Sequence, residues 1–185
     1  MIRVVLDQAV EVDLAALRRN LYASSSCGIC GKATIENALA TAPPLVGDAA
    51  TFGAAVIRSF PAQLAASQDV FRSTGGIHAA GLFDANGHLL VVREDIGRHN
   101  AVDKVVGWAA VRGLLPLTSH ALMVSGRVSY EIVQKALAAR IPLVAAVSAP
   151  SSLAIELAEA CGIAVVGFLR GESMNVYSNP WRVGA

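Results

Sequence analysis

Ala121-Leu122-Met123-Val124, Leu143-Val144-Ala145-Ala146-Val147 and Ile163-Ala164-Val165-Val166-Gly167-Phe168-Leu169 are three short apolar runs, and their reading decides the fold. Each is short, uniformly apolar and followed by Ser, Gly or Arg, which predicts strands buried on both faces. Ser129 to Ala139 and Ser151 to Ala160 carry helical periodicity between them, and Gly162 follows the second as a cap glycine. Strands alternating with helices connect by right-handed crossovers, so the last third of the chain reads as a βαβαβ unit with a parallel sheet.

Every loop leaving the C-terminal end of a parallel strand reaches the same edge of the sheet. Here those loops are Ser125-Gly126-Arg127, Ser148-Ala149-Pro150-Ser151-Ser152 and Arg170-Gly171-Glu172-Ser173. Two of them open helices and offer free N–H groups, while Arg127 and Arg170 add fixed cations. Their coincidence on one edge predicts a site for a phosphorylated ligand. Neither a Walker A pattern nor a G-x-G-x-x-G is present, so nothing indicates an ATPase or a Rossmann dinucleotide site.

Upstream, Ile77 to Phe83 and His88 to Arg93 flank Asp84-Ala85-Asn86-Gly87, whose Asn-Gly signals a hairpin. The second strand runs into the most polar segment of the chain, Arg93 to Lys104. There Asn100, Asp103 and Lys104 share one helical face and Val102, Val105, Val106 and Ala109 another. Pro61 is expected in the first turn of a helix that carries Leu64, Ser67, Gln68 and Phe71 on one side and stops at Gly75-Gly76. Ala49 to Ser59 reads equally as strand or helix, and Thr41-Ala42-Pro43-Pro44 interrupts any helix. Nearer the start, Ile2 to Leu6 reads as a strand and Leu14, Leu17 and Leu21 mark a helical face capped by Asp13.

At 185 residues, with 54% hydrophobic and only 16% charged residues, the chain is expected to form one domain with a dense α/β core. Its apolar runs fall far short of the ~20 residues that span a bilayer, so no membrane segment is expected. Without a recognisable secretion signal, a cytoplasmic, reducing setting is the expectation. A formal charge of +1 gives no general footprint for nucleic acid. So apolar a chain is also expected to cover one face in a homodimer.

Two of the three cysteines, Cys27 and Cys30, sit among glycines just ahead of a predicted helix, Ala33 to Ala40, with Lys32 close by. Glycine-rich backbone, helix N–H groups and a lysine all favour thiolate over thiol. A zinc site needs about four ligands, and with one cysteine left over it would have to recruit His78 or His99. The His-x-Glu motif of the zinc deaminases is absent at both histidines, so no zinc is expected. A structural disulfide does not suit a reducing compartment, which leaves a reactive thiol as the favoured reading. His78, at a strand start, is a candidate supporting proton carrier. His88 and His120 read as surface positions, and Cys161 as a small buried residue.

The stretches Ser26-Cys27-Gly28-Ile29-Cys30-Gly31, Thr74 to Ala80, Arg93 to Lys104, Ser125-Gly126-Arg127 and Gly167 to Gly171 together resemble the formate dehydrogenase accessory sulfurtransferase family, FdhD. The resemblance covers almost the whole chain as one FdhD-type domain, residues 1–185, with the family's usual additional N-terminal segment absent. It implies a cytidine-deaminase-like three-layer α-β-α fold with a mixed sheet. It implies a sulfurtransferase that takes sulfur from a cysteine desulfurase as a persulfide and passes it to the molybdenum bis(molybdopterin guanine dinucleotide) cofactor for formate dehydrogenase. By position Cys27 matches the persulfide cysteine and Cys30 its companion. Phe168, Leu169, Arg170, Gly171, Glu172 and Ser173 match the cofactor-binding stretch, to which the loop reading adds Ser125, Gly126, Arg127 and Ser151, with His78 and His99 as support. The alternatives are a chaperone that holds the cofactor without chemistry and a zinc-dependent deaminase-like hydrolase.

Overall fold

The computed structural model describes residues 42–184 together with Leu39. The strand expected at Ile2 to Leu6, the helix from Asp13, the cysteine loop and nearly all of the helix expected at Ala33 to Ala40 lie outside the described residues. In chain order the elements are β1 (Phe52–Gly53), α1 (Ala54–Ala66), α2 (Asp69–Thr74), β2 (His78–Phe83), β3 (Leu89–Asp95) and α3 (Arg98–Val111). They continue with β4 (Ala121–Val124), α4 (Tyr130–Ala138), β5 (Leu143–Ala146), α5 (Ser152–Cys161), β6 (Ala164–Arg170), β7 (Ser173–Ser178) and β8 (Val183–Gly184). Among the described residues six strands form one mixed sheet in the order β3-β2-β4-β5-β6-β7. β4, β5 and β6 are parallel, as the βαβαβ reading predicts, and β2 and β7 flank them antiparallel.

The period of two along β4 explains the layers. Leu122 and Val124 join a core built with α3, α4 and α5, while Ala121 and Met123 join another built with α1. Ile132, Val133 and Leu137 of α4 are completely buried, each worth about 1.5–3 kcal/mol. Gly162 ends α5 at φ +76°, as a left-handed cap. The hairpin between β2 and β3 is also as expected. Asp84 Oδ1 accepts the N–H groups of Asn86 and His88, each at 2.9 Å, and Gly87 takes φ +85°.

Three expectations are corrected. Pro61 stands in the middle of α1, not in its first turn. A proline there costs about 3 kcal/mol through a lost hydrogen bond and a ring clash. Ile57, Phe60 and Leu64 are at most 1% exposed and Phe60 stacks on Phe83 at 4.1 Å, so their burial outweighs that cost and carries the helix through. This also decides the ambiguous Ala49 to Ser59 segment, which gives a short strand and then helix. The single helical face joining Leu64 to Phe71 does not exist, because the helix caps at Ser67 and a second one starts after Gln68. Finally, His120 is half-buried with its Nδ1 sealed from solvent, because it immediately precedes the fully buried β4 and its N–H turns back onto the Leu117 carbonyl (3.2 Å).

Arg182 anchors the C-terminal segment and is completely buried. Its Nε–H donates to the Gly162 carbonyl (2.7 Å), and its Nη1 donates to Asp48 Oδ1 (2.8 Å) and the Ala50 carbonyl (2.9 Å). Removing one partner of a buried ion pair strands the other charge, so Arg182→Ala is expected to cost about 3–5 kcal/mol in denaturant unfolding. Asp48→Asn, which keeps an acceptor oxygen, is expected to cost less; equal losses would show that the charge is immaterial.

Candidate functional site

The three loops predicted to converge meet at the middle one, to which residues bordering the other two are hydrogen-bonded. Val128 N–H donates to the Ala149 carbonyl (3.2 Å), Ser151 N–H to the Val128 carbonyl (2.9 Å) and Phe168 N–H to the Ser148 carbonyl (3.2 Å). β2 joins them because it runs antiparallel to β4, which brings its first residue to the end of β4. Ser125 secures that junction: Ala79 N–H donates to its Oγ (2.9 Å) and its own N–H to the Ala79 carbonyl (3.0 Å). At Gly126 an added Cβ would lie 3.2 Å from His78 Nδ1 and 3.6 Å from Arg98 Cδ, so the missing side chain lets the loop lie between those two residues. The arrangement thus unites His78, Ser125, Gly126, Ser148, Ser151 and Phe168.

The remaining candidate residues differ in what they expose. Arg127 is exposed and has no ion-pair or hydrogen-bond partner among the described residues. Arg170 is exposed as well, and its Nε–H donates to the Val147 carbonyl (3.2 Å), its other guanidinium nitrogens having no partner among the described residues. Phe168 is 41% exposed and adopts φ +51°, a left-handed conformation unusual for a side chain of this bulk. Holding it there costs on the order of 1–3 kcal/mol, and such strain clusters at functional sites. Leu169 points into the core and offers no exposed side chain. Gly171 forms the β6–β7 turn at φ +53°, and Glu172 beside it pairs with Arg58 at 3.3 Å. Ser151 is occupied as a cap, its Oγ accepting from Ala154 N–H at 3.3 Å. Cys27 and Cys30 lie outside the described residues.

Beside this edge opens a cleft of about 530 Å³. Ile77, His78, Ser125 and Val147 line it from the strand ends, and Gln68, Phe71, Gly75 and Gly76 from α2 and its flanks. α2 buries no residue in the core, so polar contacts position this wall. Glu94 supplies the main one: Val70 and Phe71 N–H donate to its two carboxylate oxygens at 2.9 and 2.8 Å. The next residue, Asp95, faces the other side of the sheet, as strand alternation requires. It accepts from Gly97 N–H (2.9 Å) and Asn100 Nδ2 (3.1 Å) and meets Lys104 Nζ at 2.5 Å. The Lys104 bond and then the Gly97 N–H pull its pKa down to about 2. The polar segment Arg93 to Lys104 is therefore a bracket that fixes helices on both faces. Sequence reading missed Gln68, Glu94 and Arg58 as site residues and left the role of Arg98 open between cofactor contact, loop support and dimer contact; only the density of charge near Glu94 and Arg98 hinted at them.

His99 turns toward α4 and not toward the cleft. Its Nε2 lies 2.8 Å from Ser129 Oγ and 3.7 Å from Glu131 Oε2. Burial, followed by the charge of Arg98, holds its pKa below the usual 6.5, while Glu131 opposes that shift. By NMR titration His99 is expected to protonate below 6.5, lower still in Glu131→Gln and higher in Arg98→Met. The unfolded chain takes up this proton first, so stability should fall as pH drops through 6.5, with His120 adding to the fall in the same sense. A midpoint at or above 6.5 would contradict the assignment.

Comparison with known proteins places this geometry. The family model of the FdhD/NarQ family matches residues 2–184. A protein named sulfur carrier protein FdhD from Mycolicibacterium paratuberculosis is 55% identical over 168 residues, covering 90% of this chain and 61% of its own length. Its namesake from Sulfolobus acidocaldarius is 49% identical over 165 residues, covering 89% and 63% respectively. The chain therefore spans about three fifths of the length of these relatives. A crystal structure of a chain described as a formate dehydrogenase accessory protein, from Desulfotalea psychrophila, superposes with a TM-score of 0.70 at 34% identity. It covers 80% of this chain and 62% of that one. The fold, the loop edge and the matched length agree: the chain belongs to the FdhD/NarQ family.

Proposed function

We propose that this protein is a sulfurtransferase that takes persulfide sulfur from a cysteine desulfurase and passes it to the molybdenum bis(molybdopterin guanine dinucleotide) cofactor of a formate dehydrogenase. The observation that carries this reading is the convergence of the three loops around the Ser148 to Ser151 segment, with exposed cations at Arg127 and Arg170 and a strained, exposed aromatic at Phe168. The relatives' name, sulfur carrier protein, supports the sulfur-transfer part of it. Guanidinium groups suit the pyrophosphates of such a substrate, and an aromatic face suits a heterocycle. The mixed sheet with helices on both faces supports the cytidine-deaminase-like description. A cytoplasmic homodimer completes the proposal.

In the chemistry we propose, the Cys27 thiolate attacks the outer sulfur of the donor persulfide. A Cys27 S–S bond forms, the donor S–S bond breaks and the donor leaves as a thiolate. Cys30 thiolate then attacks Cys27 Sγ. A Cys27–Cys30 disulfide forms, the outer sulfur leaves as sulfide toward the molybdenum, and the two cysteines are oxidised as that sulfur is reduced. An external thiol restores the pair.

After incubation with a cysteine desulfurase and cysteine, mass spectrometry should find one added sulfur on the Cys27 peptide, removable by reductant and lost in Cys27→Ala. If the folded protein gains none, or if Cys27→Ala still activates the client enzyme, the protein is a cofactor holder and not a carrier. Cys30→Ala should load sulfur normally and deliver it poorly; full delivery would exclude the second step. Arg170→Ala should weaken guanosine diphosphate binding by about 10-fold or more, the value of a charge-assisted hydrogen bond. Unchanged affinity would remove the pyrophosphates from this loop.

A further inference from the structure

Gln68 caps α2, lines the cleft and is only 7% exposed. Its backbone is engaged: the N–H donates to the Ala65 carbonyl (3.3 Å) and the carbonyl accepts from Arg72 N–H (3.2 Å). Its side-chain amide makes no hydrogen bond among the described residues. Neither amide atom is sealed away, unlike Arg98 Nε, His120 Nδ1 and Arg182 Nη2. What surface the amide keeps therefore opens where the residue lines the cleft. Native interiors rarely leave such a group without a partner, and the missing partner has to come from outside.

The rest of the cleft limits what that partner is. Phe71, 43% exposed, contributes a flat apolar ring one helical turn along α2. Gly75 has no heavy atom within 4 Å of where a Cβ would stand, so this end of the cleft is open to a ligand. The Glu94 carboxylate holds the N–H groups of Val70 and Phe71, which fixes Gln68 and the ring relative to the sheet. Val147 lines the cleft and also carries the carbonyl that holds Arg170, and Ser125 stands two residues from Arg127. A ligand lying in the cleft can thus extend its anionic part past Val147 to Arg170, on the edge that also carries Arg127.

We propose that the cleft seats a planar heterocycle presenting a hydrogen-bond donor and acceptor side by side, read by the Gln68 amide and covered by the Phe71 ring. A carboxamide carries one acceptor oxygen and one donor nitrogen in a plane, and such an edge is its complement. This rests on the reading above and deepens it, because the guanine and pterin parts of the proposed substrate share a 2-amino-4-oxo edge of that kind. Gln68 would then select the base while Arg127 and Arg170 hold the phosphates.

The test is binding of guanosine diphosphate, free pterin and inorganic pyrophosphate to the full chain and to Gln68→Met and Gln68→Ala, with thermal melting as the folding control. Methionine keeps the length and burial of the side chain and removes its hydrogen bonds. Gln68→Met should weaken guanosine diphosphate, free pterin or both by about 5–10-fold and leave pyrophosphate unchanged. Whichever heterocycle loses affinity identifies the part that occupies the cleft. Unchanged binding of both heterocycles overturns the proposal, as does an equal loss for pyrophosphate, which would mean general distortion. A wild-type chain that binds none of the three probes overturns the nucleotide reading itself, and this inference with it.

Discussion

Burial of β4, β5 and β6 on both faces is the constraint from which the rest follows. β4 and β5 are buried along their whole length and β6 along most of it, and the chain links them by crossovers through α4 and α5, which makes the three strands parallel. Parallel strands send their outgoing loops to one edge. There the loops satisfy one another's backbone groups, as in the bonds among Val128, Ala149, Ser151, Ser148 and Phe168. The core thereby assembles residues nearly fifty positions apart into one surface.

That surface is completed by elements the core does not hold. α2 buries nothing, and its seat against the sheet is the Glu94 carboxylate. Asp95, one residue on, secures the start of α3 on the opposite face through Gly97, Asn100 and Lys104. Two adjacent carboxylates thus serve two helices because a strand turns successive side chains to opposite sides. Hydrogen bonds to charged acceptors are worth about 1.5–3 kcal/mol, enough to position a short helix yet far less than the apolar burial holding α1. The cleft therefore has one firm wall, the strand ends, and one wall hung on polar contacts.

Much of this was legible in the sequence because the decisive signals were local. Uniform apolar runs gave the parallel strands, Asn86-Gly87 the hairpin, Gly162 the helix end, and the strand-to-loop junctions the shared edge. The misreadings fell where distant packing outweighed a local preference. Pro61 argued for a helix start, and only the pocket formed for Ile57, Phe60 and Leu64 reverses that. Gln68 looked like one more position on a continuous helix, and its burial depends on the break at Ser67, which carries no strong breaker of its own. Glu94 and Arg98 stood out as charged but had no assignable partners, since α2 and the Gly126 loop meet them only in the folded chain. Cys27 and Cys30, the most informative residues in the sequence, lie outside the described residues, so their chemistry rests on the motif and the family.

The central claim is that the C-terminal edge of the parallel strands and the adjoining cleft form one ligand-binding surface. Hydrogen–deuterium exchange of the whole chain with and without guanosine diphosphate tests it most directly. The account predicts slowed exchange confined to residues 68–79, 125–129, 147–151 and 168–173, with the far end of α3 unchanged. Protection at the α3 end or along β3, with none at those loops, would contradict it.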